Sequence, residues 1–164
     1  GTRVSFELEE GFMAWVNPRK FGRIGLTDSI ESFFEEKNVG EDALSISKED
    51  FVEIFQGSKG PIKSRLMDQK NVAGIGNIYA DEILFQCEIH PETDTKKLSE
   101  KSLGKLHTAM QRIFEVAIRH EADYSTYPKH YLLYNRTEKR EDPPLLRIKV
   151  GGRTTFFDPK KQKK

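Results

Sequence analysis

Lys63 to Glu82 reads KSRLMDQKNVAGIGNIYADE, a run whose residue types suit anion chemistry. A short helix is expected over Ile62 to about Gln69. It leads into a turn holding Gly74 and Gly76, and a second helix, Ile78 to about Glu88, is expected to be capped by Asn77. The first amides of a helix lack intrahelical partners, and the helix dipole favours negative charge there. Glycine lets the turn bring its backbone close to a phosphate, with Gly76 beside Asn77. Lys63 adds a cation from the preceding helix. Read alone, Asn77 serves equally well as a plain N-cap, the glycines as tight-turn residues and Lys63 as a solvated side chain.

Two further places could touch a polyanion. Arg153 follows Gly151-Gly152 and should project from the end of a hairpin, where its planar fork can grip two phosphate oxygens. Arg19 and Phe21 lie in the loop Asn17-Pro18-Arg19-Lys20-Phe21-Gly22, although on residues alone Phe21 would belong to a core. Other chemistry is thinly represented. The one cysteine, Cys87, excludes an internal disulfide and a cysteine-rich zinc site, and its apolar neighbours suit a buried thiol. His90, His107, His120 and His130 show no metal-ligand spacing and read as structural or solvated. No metal or cofactor is expected.

The elements that must hold these residues follow from pattern. Val4, Phe6 and Leu8 alternate with polar residues, Glu10-Gly11 is a turn signal, and Phe12 to Val16 reads as a second strand. Phe21 to Leu26 reads as a third. Two or three strands seldom stand alone, so residues 3–26 are expected to be poorly ordered or paired with a second copy. Ser47 should cap a helix ending near Gln56, with Ile46 and Phe51 as a hydrophobic staple. Pro61 suits a helix start. Ser99 should cap a long helix whose Leu103, Leu106, Met110, Ile113, Phe114 and Ala117 recur at helical spacing. Tyr124 to Tyr134 reads as aromatic and irregular. Leu145–Val150 and Arg153–Phe157 flank the glycine pair as a second hairpin, and the final KKQKK is expected to fray.

The 164 residues carry a net charge of only +1, with 32 % charged and 36 % hydrophobic residues, as in a globular protein. That total hides an asymmetry: residues 1–57 sum to −6 and residues 58–164 to +7. Residues 145–164 alone hold seven basic side chains against Asp158. A basic C-terminal part points to a polyanionic partner. No apolar run reaches the roughly 20 residues of a membrane span, and no signal peptide is evident.

Three segments, RVSFELEEGFMAWVNPRKFGR, IKSRLMDQKNVAGIGNIYADEILFQCEIHPE and GGRTTFFDPKKQK, occur in the order of the formamidopyrimidine-DNA glycosylase / endonuclease VIII family, which the chain closely resembles. The middle one is similar to that family's helix–two-turn–helix. The resemblance implies phosphate contacts for Lys63, Gly76, Asn77 and Arg153, a base-stack wedge for Phe21 and an approach to the orphaned base for Arg19. It also implies a proline nucleophile, which this chain lacks, since it enters the family pattern near the end of the N-terminal β-sandwich. No catalytic residue is therefore assigned, and a Schiff base from the Gly1 amine is not expected. Where that family often has finger cysteines, Asp158 and Lys161 stand, so the finger is expected to be zincless, held by Leu146, Ile148 and Phe156.

The expectation is an α+β chain in three parts. These are residues 1–30 as a remnant of the sandwich, 40–135 as a helical helix–two-turn–helix domain, and 136–164 as a zincless-finger hairpin with a basic tail. Its expected role is the DNA-binding portion of a repair glycosylase and abasic-site lyase for oxidised bases, with double-stranded damaged or abasic DNA as partner and an intracellular setting. The alternative is a non-enzymatic nucleic-acid-binding module.

Overall fold

The period-two alternation near the N-terminus becomes a hairpin. Strand β1 (Thr2–Leu8) pairs antiparallel with β2 (Gly11–Asn17), setting Val4 opposite Trp15 and Phe6 opposite Met13. The computed structural model describes residues 2–18, 20–137 and 145–164. They form two compact units, Gly1–Glu36 and Lys37–Lys164. In the first unit several apolar side chains of the hairpin stay exposed, Phe12 at 75 % and Met13 at 54 %, while Val4 and Trp15 are half-buried. Phe21 to Leu26 is not a strand, which corrects the expectation of a third one. Its alternation is weak and it finds no ladder to join. Helix α1 (Ile30–Lys37), which the sequence reading passed over, follows.

The second unit is mainly helical. A two-residue strand β3 (Glu41–Asp42) leads to α2 (Lys48–Phe55), where Ser47 Oγ accepts the Asp50 N–H at 3.0 Å. Ile46 and Phe51 are both buried beside that cap, as a staple requires. Then come α3 (Ile62–Leu66), β4 (Val72–Ala73) and α4 (Asn77–Gln86). Strand β4 pairs in parallel with β3, Asp42 against Ala73, and so ties the turn between α3 and α4 to the segment ahead of α2. Ser99 Oγ accepts the Ser102 N–H at 3.2 Å and opens α5 (Glu100–Arg119).

The core lies where α5 meets α2 and α4. Leu103, Leu106, Met110 and Ile113 are fully buried along one stripe of α5. Each contributes about 1.5–3 kcal/mol relative to exposure. The same helix satisfies backbone carbonyls that the core would otherwise strand: Gln111 Nε2 donates to Ala43 O at 2.9 Å, and His107 Nε2 lies 3.0 Å from Ile46 O. The stretch expected to be irregular contains a 3₁₀ turn, Tyr124–Thr126, and a short helix α6 (Leu132–Thr137). Glu82, buried in α4, receives the Leu132 and Leu133 N–H groups that open α6, at 3.2 and 2.8 Å.

The second hairpin is β5 (Leu146–Val150) and β6 (Arg153–Phe157), antiparallel, joined by Gly151 and Gly152 at positive φ. Its buried residues are Val150, Thr155 and Phe157. Leu146 is instead 49 % exposed, and Ile148 and Phe156 are half-buried. Contacts join this hairpin to the helical residues in one unit. The terminal KKQKK is also tied down, against expectation. Gln162 is buried, donating to Ile89 O at 2.9 Å and accepting the Asp158 N–H at 2.9 Å.

Candidate nucleic-acid interface

The turn between α3 and α4 is organised by a residue the sequence reading did not single out. Gln69 accepts the Gly74 N–H at 2.9 Å and donates to Met67 O and Ile75 O, both at 3.1 Å. Gly74 has φ +93°, a conformation that suits glycine. Asn71 Nδ2 adds a bond to Arg65 O at 3.0 Å. The turn is thus fixed by its own side chains before any partner arrives.

At the mouth of α4 the cap is Gly76, with φ −92° and ψ 171°, and Asn77 is the first helical residue. The expectation that Asn77 caps this helix is corrected: its amide faces away from that task. Nδ2 donates to Thr154 O in β6 at 3.1 Å. Gly76 has no side chain with which to cap, and a Cβ placed on it would meet nothing within 4 Å. The opening amides of α4 are therefore left without a side-chain cap, at the end of the helix where the dipole favours an anion.

Hairpin β5–β6 is docked beside this mouth through a buried polar cluster. Lys63 is fully buried; its Nζ lies 2.7 Å from Asp81 Oδ1, 2.6 Å from Thr155 Oγ1 and 3.3 Å from Thr154 O. Asp81 Oδ2 accepts the Phe156 N–H at 3.1 Å. Arg136 stacks 4.3 Å over the Phe156 ring, with Nη1 3.9 Å from Asp81 Oδ2. Burial pushes the Lys63 ammonium below its ordinary pKa and the Asp81 carboxyl above its own, and each group opposes the shift in the other. In this cluster two cations, Lys63 and Arg136, face the one carboxylate of Asp81.

Arg153 is exposed, two residues ahead of buried Thr155 on β6. Side chains two apart on a strand share a face. Arg153 therefore lies on the face whose Thr155 and Phe157 meet the helical residues. The structure thus brings Lys63 and Asn77 onto one carbonyl, that of Thr154, which follows Arg153 in β6, with Gly76 capping the helix that Asn77 opens. Lys63 sits beneath the surface, not solvated on it. Phe21 is 83 % exposed and belongs to the other unit, while Arg19 lies outside the described residues. Besides Gln69, the sequence reading missed Asp81, Thr155 and Arg136. The one available signal was the acidic pair Asp81-Glu82 inside an otherwise apolar helical run.

The positions that the family resemblance assigns to cysteines are built into a hydrogen-bonded knot. Asp158 Oδ1 accepts the Lys160 N–H at 2.8 Å, and Lys161 Nζ lies 4.9 Å from the centre of the Phe85 ring. Among the described residues no cluster of three or more His, Cys, Asp or Glu could hold a metal ion. Nor is any helix among them long and apolar enough to cross a membrane.

Known proteins are similar to this chain in sequence and fold. The sequence model of the formamidopyrimidine-DNA glycosylase H2TH domain matches residues 39–128. A formamidopyrimidine-DNA glycosylase of Arabidopsis thaliana is 33 % identical over 165 residues, covering 96 % of this chain and 42 % of its own length. One from Streptococcus pyogenes serotype M3 is 32 % identical over 180 residues, covering 98 % of this chain and 66 % of its own. A complex between Lactococcus lactis Fpg and DNA containing an abasic site superimposes with a TM-score of 0.77 at 30 % identity, over 98 % of this chain and 65 % of that one. A complex of an Fpg mutant from the same organism with Fapy-dG DNA gives 0.78 at 31 %. The chain spans 42 % and 66 % of the two curated relatives described. With more than half its length matched by the H2TH domain of that family, the chain belongs to the formamidopyrimidine-DNA glycosylase family.

Proposed function

We propose that residues 37–164 form the DNA-holding part of a base-excision glycosylase and abasic-site lyase for oxidised bases, gripping one backbone phosphate at the mouth of α4. The observation that carries this reading is the helix start at Gly76 and Asn77, which has no side-chain cap, with Thr154, the residue after Arg153, held alongside by Asn77 and Lys63. Backbone amides and a guanidinium then converge on one ionised oxygen, and Lys63 supplies charge from below. Arg19 and Phe21 are proposed to enter the duplex, Phe21 filling the gap left by a flipped nucleotide. Its exposure supports that role. The relatives' bound DNA supports abasic or damaged duplex as partner, which implies an intracellular setting. Pairing of a second copy through β1 and β2 draws support only from their exposed apolar side chains; a sedimentation mass that stays monomeric at all concentrations removes it.

Salt dependence tests the phosphate grip. Affinity for a duplex with an abasic-site analogue should fall steeply as salt rises. Arg153→Ala should weaken binding at every salt concentration and flatten that slope by about one unit. An unchanged slope overturns the assignment of Arg153.

A further inference from the structure

We infer that Asp81 is a positioning residue, setting through Lys63 and the Phe156 amide where Arg153 stands relative to the α4 mouth; the inference rests on the phosphate-binding reading above. Asp81 is fully buried one turn beyond Asn77, and it divides its oxygens between two elements. Oδ1 holds Lys63 of α3 at 2.7 Å, and Oδ2 holds the Phe156 N–H of β6 at 3.1 Å. Lys63 passes the link on to Thr155 Oγ1 and Thr154 O. Three consecutive residues of β6, Thr154 to Phe156, are thereby pinned to the helices by groups whose geometry is directional. The strand register carries that constraint to Arg153, which shares a face with Thr155.

Stability alone is a weak reason for this cluster. Two charges taken out of water regain little net free energy from one another, and well-packed apolar residues often do as well. What an ion pair with shared hydrogen bonds provides, and an apolar contact does not, is a single register. A hairpin slipped on an oily surface would leave Arg153 off the phosphate. Lys63 has no exposed surface and three partners inside the fold, so it too acts on DNA largely through the hairpin.

A double-mutant cycle decides the matter. Binding of duplex DNA with an abasic-site analogue is measured for wild type, Asp81→Asn, Arg153→Ala and the double variant, with the salt slope of each. In wild type, Arg153→Ala should cost about tenfold, the worth of one charge-assisted contact. In the Asp81→Asn background it should cost less than about twofold and leave the slope unchanged, because Arg153 is already misplaced. Thr155→Val, which keeps the Lys63–Asp81 pair and removes the hydroxyl that accepts from Lys63 Nζ and donates to Arg153 O at 3.1 Å, should show the same loss of Arg153 dependence. It decides the outcome if Asp81→Asn does not fold. Equal cost of Arg153→Ala in all three backgrounds overturns the inference while leaving the phosphate reading intact. No effect of Arg153→Ala in wild type overturns both.

Discussion

Burial decides the proton on His90. The ring packs edge-on against Phe157 of β6 with centroids 4.6 Å apart, and Nδ1 accepts the Glu92 N–H at 3.2 Å. Burial lowers its pKa from the ordinary value of 6.5, Glu92 opposes that shift and Lys164 adds to it. The folded chain therefore binds this proton less readily than the unfolded chain. Its contribution to stability is full above the unfolded value and is lost as pH falls through the depressed folded value. We predict that the stability advantage of wild type over His90→Asn shrinks between pH 7.5 and 5.5, read by denaturant unfolding at each pH. A difference independent of pH contradicts it. At this scale the settings of Asn77 and Lys63 were not legible in the sequence. Asn77 looks like a cap because Asn follows a glycine turn, but a cap is defined by where the amide points, and here a strand 77 residues downstream takes it. Lys63 looks solvated for the same reason: its carboxylate partner is local in helix α4, yet its hydroxyl partner is 92 residues away.

Among elements, those set by local chemistry were legible. Ser47 and Ser99 announce their helices because the bonds they make lie three residues ahead. The glycine pair announces the β5–β6 turn because both positions take positive φ. Elements set by distant partners were not. Strands β3 and β4 are two residues each and exist only through one another. The lysine-rich tail is ordered by Gln162, one polar residue that finds Ile89 O. The glycine pair also yields a prediction. A Cβ on Gly151 would lie 2.7 Å from Ser64 Oγ, whereas one on Gly152 would meet nothing within 4 Å. Both substitutions to Ala carry the left-handed backbone cost of about 1–2 kcal/mol. Gly151→Ala alone must also displace Ser64 and unseat the hairpin, so it should unfold at lower denaturant than Gly152→Ala. Equal midpoints would place the hairpin turn away from α3.

Across the whole molecule, charge and shape agree on one partner. Residues 1–36 sum to −3 and residues 37–164 to +4, so the cation excess lies with the helical unit and its hairpin. In the proposed reading, long-range attraction would bring a duplex to the helical unit, and the α4 mouth would give it one fixed point. Composition made the charge asymmetry legible; the α4 mouth needed the fold, because Lys63 and Asn77 meet on the Thr154 carbonyl only once β6 docks. The most direct measurement is an amide titration of ¹⁵N-labelled protein with a duplex carrying an abasic-site analogue. The Asn77 and Ile78 N–H signals should move most and saturate with binding, and a methylphosphonate at one position of the duplex should abolish the shift. Saturated binding with those two amides unmoved would contradict the account.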